Sequence, residues 1–320
     1  MPLLAAALAA LAIPALTLPA TAEGTRTVTD DLGRTVEVPA DPQRIAVLHD
    51  KNLGTPLIEL GVIPVGSHGR VSSEGAPFIR GSITVTGYDF DNSDIVFLGA
   101  NPVDIETVAG AAPDLILTST WQSADVDQLS AIAPTVVVDT TARGTIGVFP
   151  LLAEATGTGD ALDRLETRYD AQIAQLRRIV PTDDITVSVV QATGDGLWVQ
   201  HTYSALGKVL RDAGFRFPPA VDAIPEGLAE TWSPERLPEL DADLIFLTYR
   251  TDQDQVPQDA RDAVEALVPG WCDLLHACRE GQVVILPRAE ATSASYDAMT
   301  GLTMAVLAAT SSTPIIRRPE

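Results

Sequence analysis

Residues 160–180 of this chain read DALDRLETRYDAQIAQLRRIV. Their apolar side chains recur every three or four residues, from Leu162 through Tyr169 to Val180, and this spacing predicts one amphipathic helix. We expect Asp160 at its N-cap, and Pro181 directly follows its expected end. A helix of about 20 residues is about 30 Å long, which is the width of a small domain. The segment therefore predicts a helix that joins two halves of the chain.

On both sides of this helix, short apolar runs alternate with amphipathic segments, a pattern that indicates parallel sheets covered on both faces. The predicted strands are residues 45–48, 115–118, 136–138, 187–190, 244–248 and 283–286. The predicted helices are residues 52–60, 105–112, 126–132, 204–213, 234–240, 259–267 and 296–309. An alternating stretch at 31–39 is typical of a hairpin. We predict an α/β fold of two Rossmann-like lobes with mostly parallel sheets, joined by one long rigid helix.

The first 22 residues carry no charge and end in Ala20-Thr21-Ala22, which predicts a signal peptide with a small-x-small cleavage site. The basic residues with which a signal peptide usually begins are missing. A membrane anchor is the alternative, which Pro14 and Pro19 disfavour. A lipoprotein anchor requires a cysteine directly after the apolar stretch, and this sequence has none there. We therefore expect an exported, soluble protein. The predicted segments are a signal peptide at 1–22, a first lobe at 23–158, the connecting helix at 159–181 and a second lobe at 182–320.

The composition of the chain excludes several function classes. Its 43 acidic against 21 basic residues give a formal charge of −22, which opposes binding to nucleic-acid phosphates. The sequence contains no Walker loop, GxGxxG, HExxH or GxSxG motif, and its four histidines are scattered, so we expect neither an enzyme nor a dedicated metal cage. The acidic stretch 89–94 lacks the Gly and Glu positions of a calcium loop, and we interpret it as a turn.

Cys272 and Cys278 are the only cysteines. In an oxidising compartment such a pair favours a disulfide. The alternative is two separate buried thiols, since residues six apart in one continuous helix point to different faces.

Several stretches carry a resemblance to a known family. They are DLGRTVEVP (31–39), PQRIAVL (42–48), LGVIPVG (60–66), APDLIL (112–117), LSAIAP (129–134), WSPE (232–235) and GQVV (281–284). In this order they resemble the ferric-siderophore and cobalamin periplasmic binding proteins of ABC importers, the class III group with a helical connection. The resemblance spans about residues 27–309. It implies two lobes around a ligand cleft, a monomer in the periplasm of a Gram-negative bacterium, no cofactor, and iron present only within the ferric siderophore.

Glu106 and Glu235 occupy matching places, each nine residues before a predicted strand and in the first turn of a helix. A carboxylate at a helix start favours the helix dipole, which is the simpler interpretation. The resemblance implies a second role, because members of the family use one glutamate per lobe to dock on arginines of the permease dimer.

Ligands of open α/β sheets bind beyond the carboxyl ends of strands. This rule nominates His49, Lys51, Asn52, Trp121, Gln122, Trp198, Tyr203, Tyr249, Arg250 and Arg288. Arg70 and Arg80 lie in a long irregular connection of the first half, where binding residues are common. Arginines together with aromatic rings favour a bulky anionic chelate. The predicted ligand-binding set is Arg70, Arg80, Trp121, Trp198, Tyr203, Arg250 and Arg288, whereas His49 and His68 are interpreted as structural.

We therefore predict a binding protein that captures a ferric siderophore between its lobes and delivers it to an ABC importer. The alternatives are a haem- or cobalamin-binding protein of the same family, and a chelatase-like enzyme on a related two-lobed fold. The sequence does not distinguish hydroxamate, catecholate and carboxylate siderophores.

Overall fold

The computed structural model describes residues 24–194, 196–312 and 314–319. The predicted signal peptide, residues 1–22, lies outside the described residues. The strands are β1 Thr25–Thr29, β2 Thr35–Pro39, β3 Ile45–Val47, β4 Gly66–Ser67, β5 Arg70–Val71, β6 Pro77–Phe78, β7 Val96–Phe97, β8 Leu115–Ser119, β9 Thr135–Val138, β10 Val187–Val190, β11 Ala192–Thr193, β12 Gly196–Gln200, β13 Ala229–Trp232, β14 Leu244–Tyr249 and β15 Val283–Pro287.

The α-helices are α1 Thr55–Glu59, α2 Ser82–Thr86, α3 Ile105–Gly110, α4 Val126–Ser130, α5 Phe149–Thr156, α6 Gly159–Ile179, α7 Ser204–Asp212, α8 Pro219–Asp222, α9 Pro257–Leu267, α10 Trp271–Leu274, α11 His276–Arg279, α12 Arg288–Ala291 and α13 Tyr296–Ser311. A π-helical turn spans Asp50–Gly54, and 3₁₀ turns span Thr182–Asp184, Pro234–Leu240 and Thr251–Gln253.

The first lobe is built on a parallel sheet with strand order β7-β4-β3-β8-β9. The side chains of β3, β8 and β9 are buried, because the sheet is covered on both faces. The hairpin β1–β2 attaches to this sheet, where the Asp31 N–H donates to the Val137 carbonyl at 3.0 Å. All strands of the sheet end at the same edge, which therefore collects the loops that follow them.

The second lobe repeats this plan with a parallel sheet of order β10-β14-β15. Beside it lies an antiparallel sheet of order β11-β12-β13, which the sequence pattern did not predict. In β12, Leu197 and Val199 are buried while Trp198 and Gln200 are partly exposed. This alternation differs from the continuous apolar runs by which the other strands were found.

The connecting helix α6 has 21 residues. It begins at Gly159, so the prediction of Asp160 as N-cap was wrong: Thr158 occupies the N-cap and Asp160 lies in the first turn, where its charge favours the helix dipole. Tyr169 of α6 and Phe149 of α5 both pack edge-on against Tyr296 at the start of α13. One continuous apolar core therefore runs from the hairpin through the connecting helix into the second lobe.

Candidate ligand-binding cleft

The two lobes face each other across a cleft at the carboxyl ends of their parallel strands. Two adjoining cavities of about 530 and 620 Å³ lie in it. We call these two cavities together the arginine cleft. Six of the residues that line it are Arg70, Phe78, Arg80, Arg250, Asp252 and Arg288. The structure thus brings four of the predicted arginines together, two from each lobe.

Arg80 is held by a carboxylate beneath the cleft. Asp50 follows β3 and its side chain is fully buried. Arg80 Nε donates to Asp50 Oδ2 at 2.9 Å and Arg80 Nη2 donates to Oδ1 at 2.6 Å, while His68 Nδ1 lies 3.2 Å from Oδ1. Burial acts to raise the pKa of Asp50, but the hydrogen bonds from Arg80 and His68 outweigh it and lower that pKa well below its usual range. The pair fixes the Arg80 guanidinium at the cleft.

Trp121 lies just beyond β8 and is 41% exposed. Its ring meets the edges of His49 and His68 at centroid distances of 5.1 and 5.4 Å, and the Arg70 guanidinium carbon lies 5.7 Å from the Trp121 ring centroid. Burial lowers the pKa of His49 to about 4, so this ring is neutral near pH 7, and its Nδ1 accepts the Asn52 N–H at 3.1 Å. The two histidines thus support Trp121, which presents a flat surface beside Arg70.

The arginines of the cleft differ in their partners. Arg250 follows β14 and donates to both oxygens of Asp252, at 3.0 and 2.6 Å. Arg288 begins α12, directly after β15. Within the described ranges, no carboxylate oxygen lies within 4 Å of the guanidinium nitrogens of Arg70 or Arg288. These two cations are therefore the ones whose charge a bound anion would balance.

Three of the predicted ligand residues, Trp121, Trp198 and Tyr203, do not line the cavities of the arginine cleft. Tyr203 is 2% exposed, and its hydroxyl lies within 3.0 Å of Thr248 Oγ1. Burial raises the pKa of Tyr203, while its hydrogen bond with Thr248 and the neighbouring Arg288 oppose the rise. Trp198 lies on β12 opposite Thr231. Trp121 contacts the cleft only through Arg70, whose guanidinium carbon is 5.7 Å from its ring centroid. The strand-end rule gives the loop in which a residue lies but not the direction of its side chain.

Lys51 joins the lobes across the floor of the cleft. Lys51 Nζ donates to Thr292 Oγ1 at 2.7 Å, and Thr292 Oγ1 in turn donates to the Arg288 carbonyl at 2.8 Å. Burial lowers the pKa of Lys51 to about 7, and the charges of Arg80 and Arg288 add to this effect. Lys51 and Thr292 also line a third cavity of about 550 Å³ on the other side of their contact.

We call this third space the hydroxyl cavity, because its lining includes Thr140, Thr141, Thr145, Thr202 and Ser204. Three other cations that line it already have carboxylate partners: Arg143 with Asp31 at 2.7 Å, Lys208 with Asp212 at 2.9 Å and Arg211 with Asp222 at 3.0 Å. An anionic ligand is therefore favoured in the arginine cleft.

Glu106 and Glu235 lie outside these cavities, on exposed surface. Glu106 is in the first turn of α3, whose N-cap is Asp104. Glu235 is in the first turn of the 3₁₀ segment Pro234–Leu240, which has Pro238 inside it. The two positions match in sequence but differ in helix type, because Pro238 has no N–H for the α-helical hydrogen bond.

Cys272 and Cys278 form a disulfide in the second lobe. The geometry is possible because the segment is not one helix: Leu275 has extended backbone angles (φ −112°, ψ 126°) and separates α10 from α11.

Sequence reasoning left Asp50, Asp252 and Thr292 out of the predicted set, and it nominated Lys51 only by its place after a strand. Asp50 had a usable signal, since it lies between His49 and Lys51 at the same strand end. Thr292 had none, because its contact with Lys51 joins positions 241 residues apart.

Two further observations apply to the part of the chain that the structure describes. No group of three or more His, Cys, Asp or Glu side chains is arranged to hold a metal ion. No helix there combines the length and apolar character needed to cross a bilayer.

Comparisons with known proteins agree with this architecture. A family model described as periplasmic binding protein matches residues 76–290. The probable siderophore-binding lipoprotein YfiY of Bacillus subtilis is 31% identical over 242 residues, which cover 71% of this chain and 70% of the relative. The iron(3+)-hydroxamate-binding protein FhuD of the same organism is 28% identical over 218 residues, covering 66% of this chain and 65% of the relative.

Solved structures share the fold at lower identity. SirA of Staphylococcus aureus, crystallised with staphyloferrin B, superimposes with a TM-score of 0.68 and 24% identity, covering 88% of this chain and 96% of that one. A FhuD fold-family protein of Bacillus subtilis, a component of a Fep/Fec-like ferrichrome ABC transporter, gives a TM-score of 0.71 and 22% identity, covering 89% and 99%. The predicted two-lobed α/β fold is confirmed.

Proposed function

Since this chain belongs to the periplasmic binding protein family, we propose that it captures a ferric siderophore in the arginine cleft and delivers it to an ABC importer. The observation that carries the proposal is the pair Arg70 and Arg288, which face the cleft without carboxylate partners among the described residues. In a chain of net charge −22, such cations favour an anionic ligand at this place.

The chemistry of the cleft favours an anionic chelate over a neutral one. Three catecholates bring six negative charges to one ferric ion, so their complex is an anion, whereas three hydroxamates leave the complex neutral. Arg70 and Arg288 would balance that charge, and Trp121, which lies beside Arg70 and outside the cavity lining, would contact a ring of the chelate that extends past Arg70. The siderophore satisfies the coordination of iron, so the protein supplies no ligand to the metal, and the iron is cargo.

Haem is the second candidate, because its carboxylates are also anionic. Within the described residues, the lining of the arginine cleft contains no His, Tyr, Met or Cys that could bind the haem iron. His49 and His68 are buried behind Trp121. The cleft therefore fits a chelate whose iron is already saturated better than it fits haem. No catalytic arrangement was recognised in the sequence, and we infer a binding role rather than an enzymatic one.

We further infer that the protein acts as an exported monomer outside the cytoplasmic membrane, with the periplasm of a Gram-negative bacterium as the predicted compartment. Glu106 and Glu235 would dock its two lobes on arginines of the permease dimer. Both glutamates are exposed and lie outside the cavities, which supports a role in docking and not in ligand binding.

Quenching of tryptophan fluorescence tests the ligand class. Purified protein is titrated with a ferric tris-catecholate, a ferric tris-hydroxamate, the same siderophores without iron, haem and cobalamin. The proposal predicts tightest binding of the ferric tris-catecholate and weaker binding of the neutral chelate. Tight binding of haem or cobalamin, with none of either ferric chelate, would overturn it.

A further inference from the structure

Lys51 occupies a distinctive place between the lobes. It lines both the arginine cleft and the hydroxyl cavity, and its amine donates across the lobe boundary to Thr292 at 2.7 Å. Thr292 is one turn from Arg288 and donates to its carbonyl. A change of charge at the Lys51 amine therefore changes the electrostatic potential beside Arg288, where the ligand would lie.

Lys51 has no carboxylate of its own. In the first lobe the groups nearest to it are His49, Asp50 and Arg80, and Asp50 is already engaged by Arg80. In the second lobe, Asp252 and Arg288 act on it and Arg250 lines the same cavity, and Asp252 is already engaged by Arg250.

The remaining charged groups of the two cavities do not supply a partner either. Asp89 lines the arginine-cleft side, but its carboxylate accepts the N–H groups of Ile79 and Phe90. The hydroxyl-cavity side holds Glu226, the carboxylate of Asp212, which is paired with Lys208, and the paired cations Arg143 and Arg211. Within the described residues, no carboxylate oxygen lies within 4 Å of Lys51 Nζ.

We propose that Lys51 couples ligand charge to proton uptake: an anionic ferric chelate bound in the arginine cleft draws a proton from solvent onto the Lys51 amine, and this coupling selects anionic over neutral chelates. The inference rests on the proposed function. The amine donates to Thr292 in either protonation state, so the contact between the lobes persists while its charge changes.

The direction follows from the surroundings of the amine. Burial, with Arg80 and Arg288 nearby, lowers the pKa of Lys51 to about 7 in the empty protein. An anion placed between these cations favours the charged ammonium and raises that pKa, whereas a neutral chelate does not. At pH 8 the empty protein carries a neutral amine in about nine molecules of ten, so an anion that raises this pKa by about two units takes up about 0.8 proton on binding. Affinity for the anion then falls by up to about tenfold per pH unit between the pKa of the empty protein and that of the complex, and it is flat below about pH 6.

The chain itself makes the test simple, because Lys51 and Lys208 are its only lysines. Protein labelled with ¹³C at the lysine ε-carbon gives two signals, and Lys51→Arg assigns them by removing one. The signals are followed against pH in the empty protein and with citrate as a small anionic probe. We expect Lys51 to titrate near pH 7 alone and at least one unit higher with citrate, while Lys208 serves as the internal control.

Calorimetry in two buffers of different ionisation enthalpy then counts protons on binding of the ferric tris-catecholate at pH 8. Wild type and the matched control Lys208→Met should take up about 0.8 proton, whereas Lys51→Met and Lys51→Arg should take up none. Lys51→Met should also lose about tenfold in affinity for this anion and little for the neutral tris-hydroxamate. Titration of Lys51 above pH 9 in the empty protein, or no shift with citrate, would overturn the inference and leave siderophore capture standing. A citrate shift without binding of any chelate would instead overturn the proposed function alone.

Discussion

Asp50 and Arg80 form a two-point ion pair beneath the cleft, with Nη2 2.6 Å from Oδ1 and Nε 2.9 Å from Oδ2. The Asp50 side chain is fully buried, whereas that of Arg80 retains about a quarter of its exposure. Because the carboxylate is inaccessible to ligand while the guanidinium reaches the cavity, the pair presents one oriented cation to the cleft.

Removal of the buried partner should destabilise the protein. We expect Asp50→Asn to lower the free energy of unfolding by about 3–5 kcal/mol, because it leaves Arg80 largely buried without a countercharge. Urea denaturation measures this change. The matched control is Asp252→Asn, which breaks a pair whose side chains are both about one-third exposed and should cost less than about 1 kcal/mol. Equal losses in the two variants would contradict the account of the Asp50 pair.

A second buried carboxylate connects the lobes. Glu59 ends α1 in the first lobe and caps α13 in the second, accepting the Tyr296 N–H at 2.9 Å and the Asp297 N–H at 3.2 Å. Burial raises the pKa of Glu59 to about 7; hydrogen bonds from Ser295 and these two N–H groups oppose the rise, and the charge of Asp297 adds to it. The stability that protonated Glu59 contributes is thus full below about pH 4.5 and is lost as pH rises through about 7.

Glu59→Gln stays neutral, so its unfolding free energy should not fall in this way as pH rises. We expect the variant to gain about 2–3 kcal/mol in unfolding free energy relative to wild type between pH 5 and pH 8. Urea denaturation of both proteins at each pH gives the difference, which cancels the contributions of groups such as His49 that titrate in both. A difference that does not vary with pH would contradict the raised pKa.

Loading should change the shape of the molecule little. Helix α6 is tied to α13 by Gln172 and Thr300, whose side-chain oxygens are 3.0 Å apart, and by the ion pair of Arg168 with Asp297. Every turn of a helix is hydrogen-bonded, so it resists bending more than loop connections do. X-ray scattering curves of empty and loaded protein should nearly superimpose, and a large drop in radius of gyration on loading would refute the stiff connection.

The buried parallel strands were predictable because they are continuous apolar runs. Val187–Val190 agrees with the prediction at both ends, and Ile45–Val47 differs from it by one residue. The strand pair Gly196–Gln200 and Ala229–Trp232 was missed, because the first strand alternates buried with partly exposed side chains and the second has only Trp232 buried.

Two arginines of the cleft were predictable from chain order, since Arg250 and Arg288 directly follow strands whose carboxyl ends meet at one edge. The contacts that hold the cleft together were not predictable. Asp50 meets Arg80 across 30 residues and Lys51 meets Thr292 across 241, and such contacts depend on tertiary packing rather than on local pattern.

Delivery should be separable from binding. We expect the double variant Glu106→Arg, Glu235→Arg to fold and to bind its siderophore normally, because both residues are exposed and outside the cavities. At a docking surface of permease arginines, like charge would face like charge and weaken association. Stimulation of transporter ATP hydrolysis in reconstituted membranes should be lost. Normal stimulation by the variant would contradict the docking role, and these glutamates would then serve only to favour the helix dipole.

The most direct test of the account compares wild type with the double variant Arg70→Gln, Arg288→Gln in fluorescence titrations with the two ferric chelates. Each charge-assisted contact is worth about 1.5–3 kcal/mol, so the variant should lose about a hundredfold or more in affinity for the anionic tris-catecholate. Its affinity for the neutral tris-hydroxamate should change by less than about threefold, because that complex offers no charge to balance. Unchanged affinity for the anionic chelate would show that these arginines do not hold the ligand and would contradict the assignment of the arginine cleft.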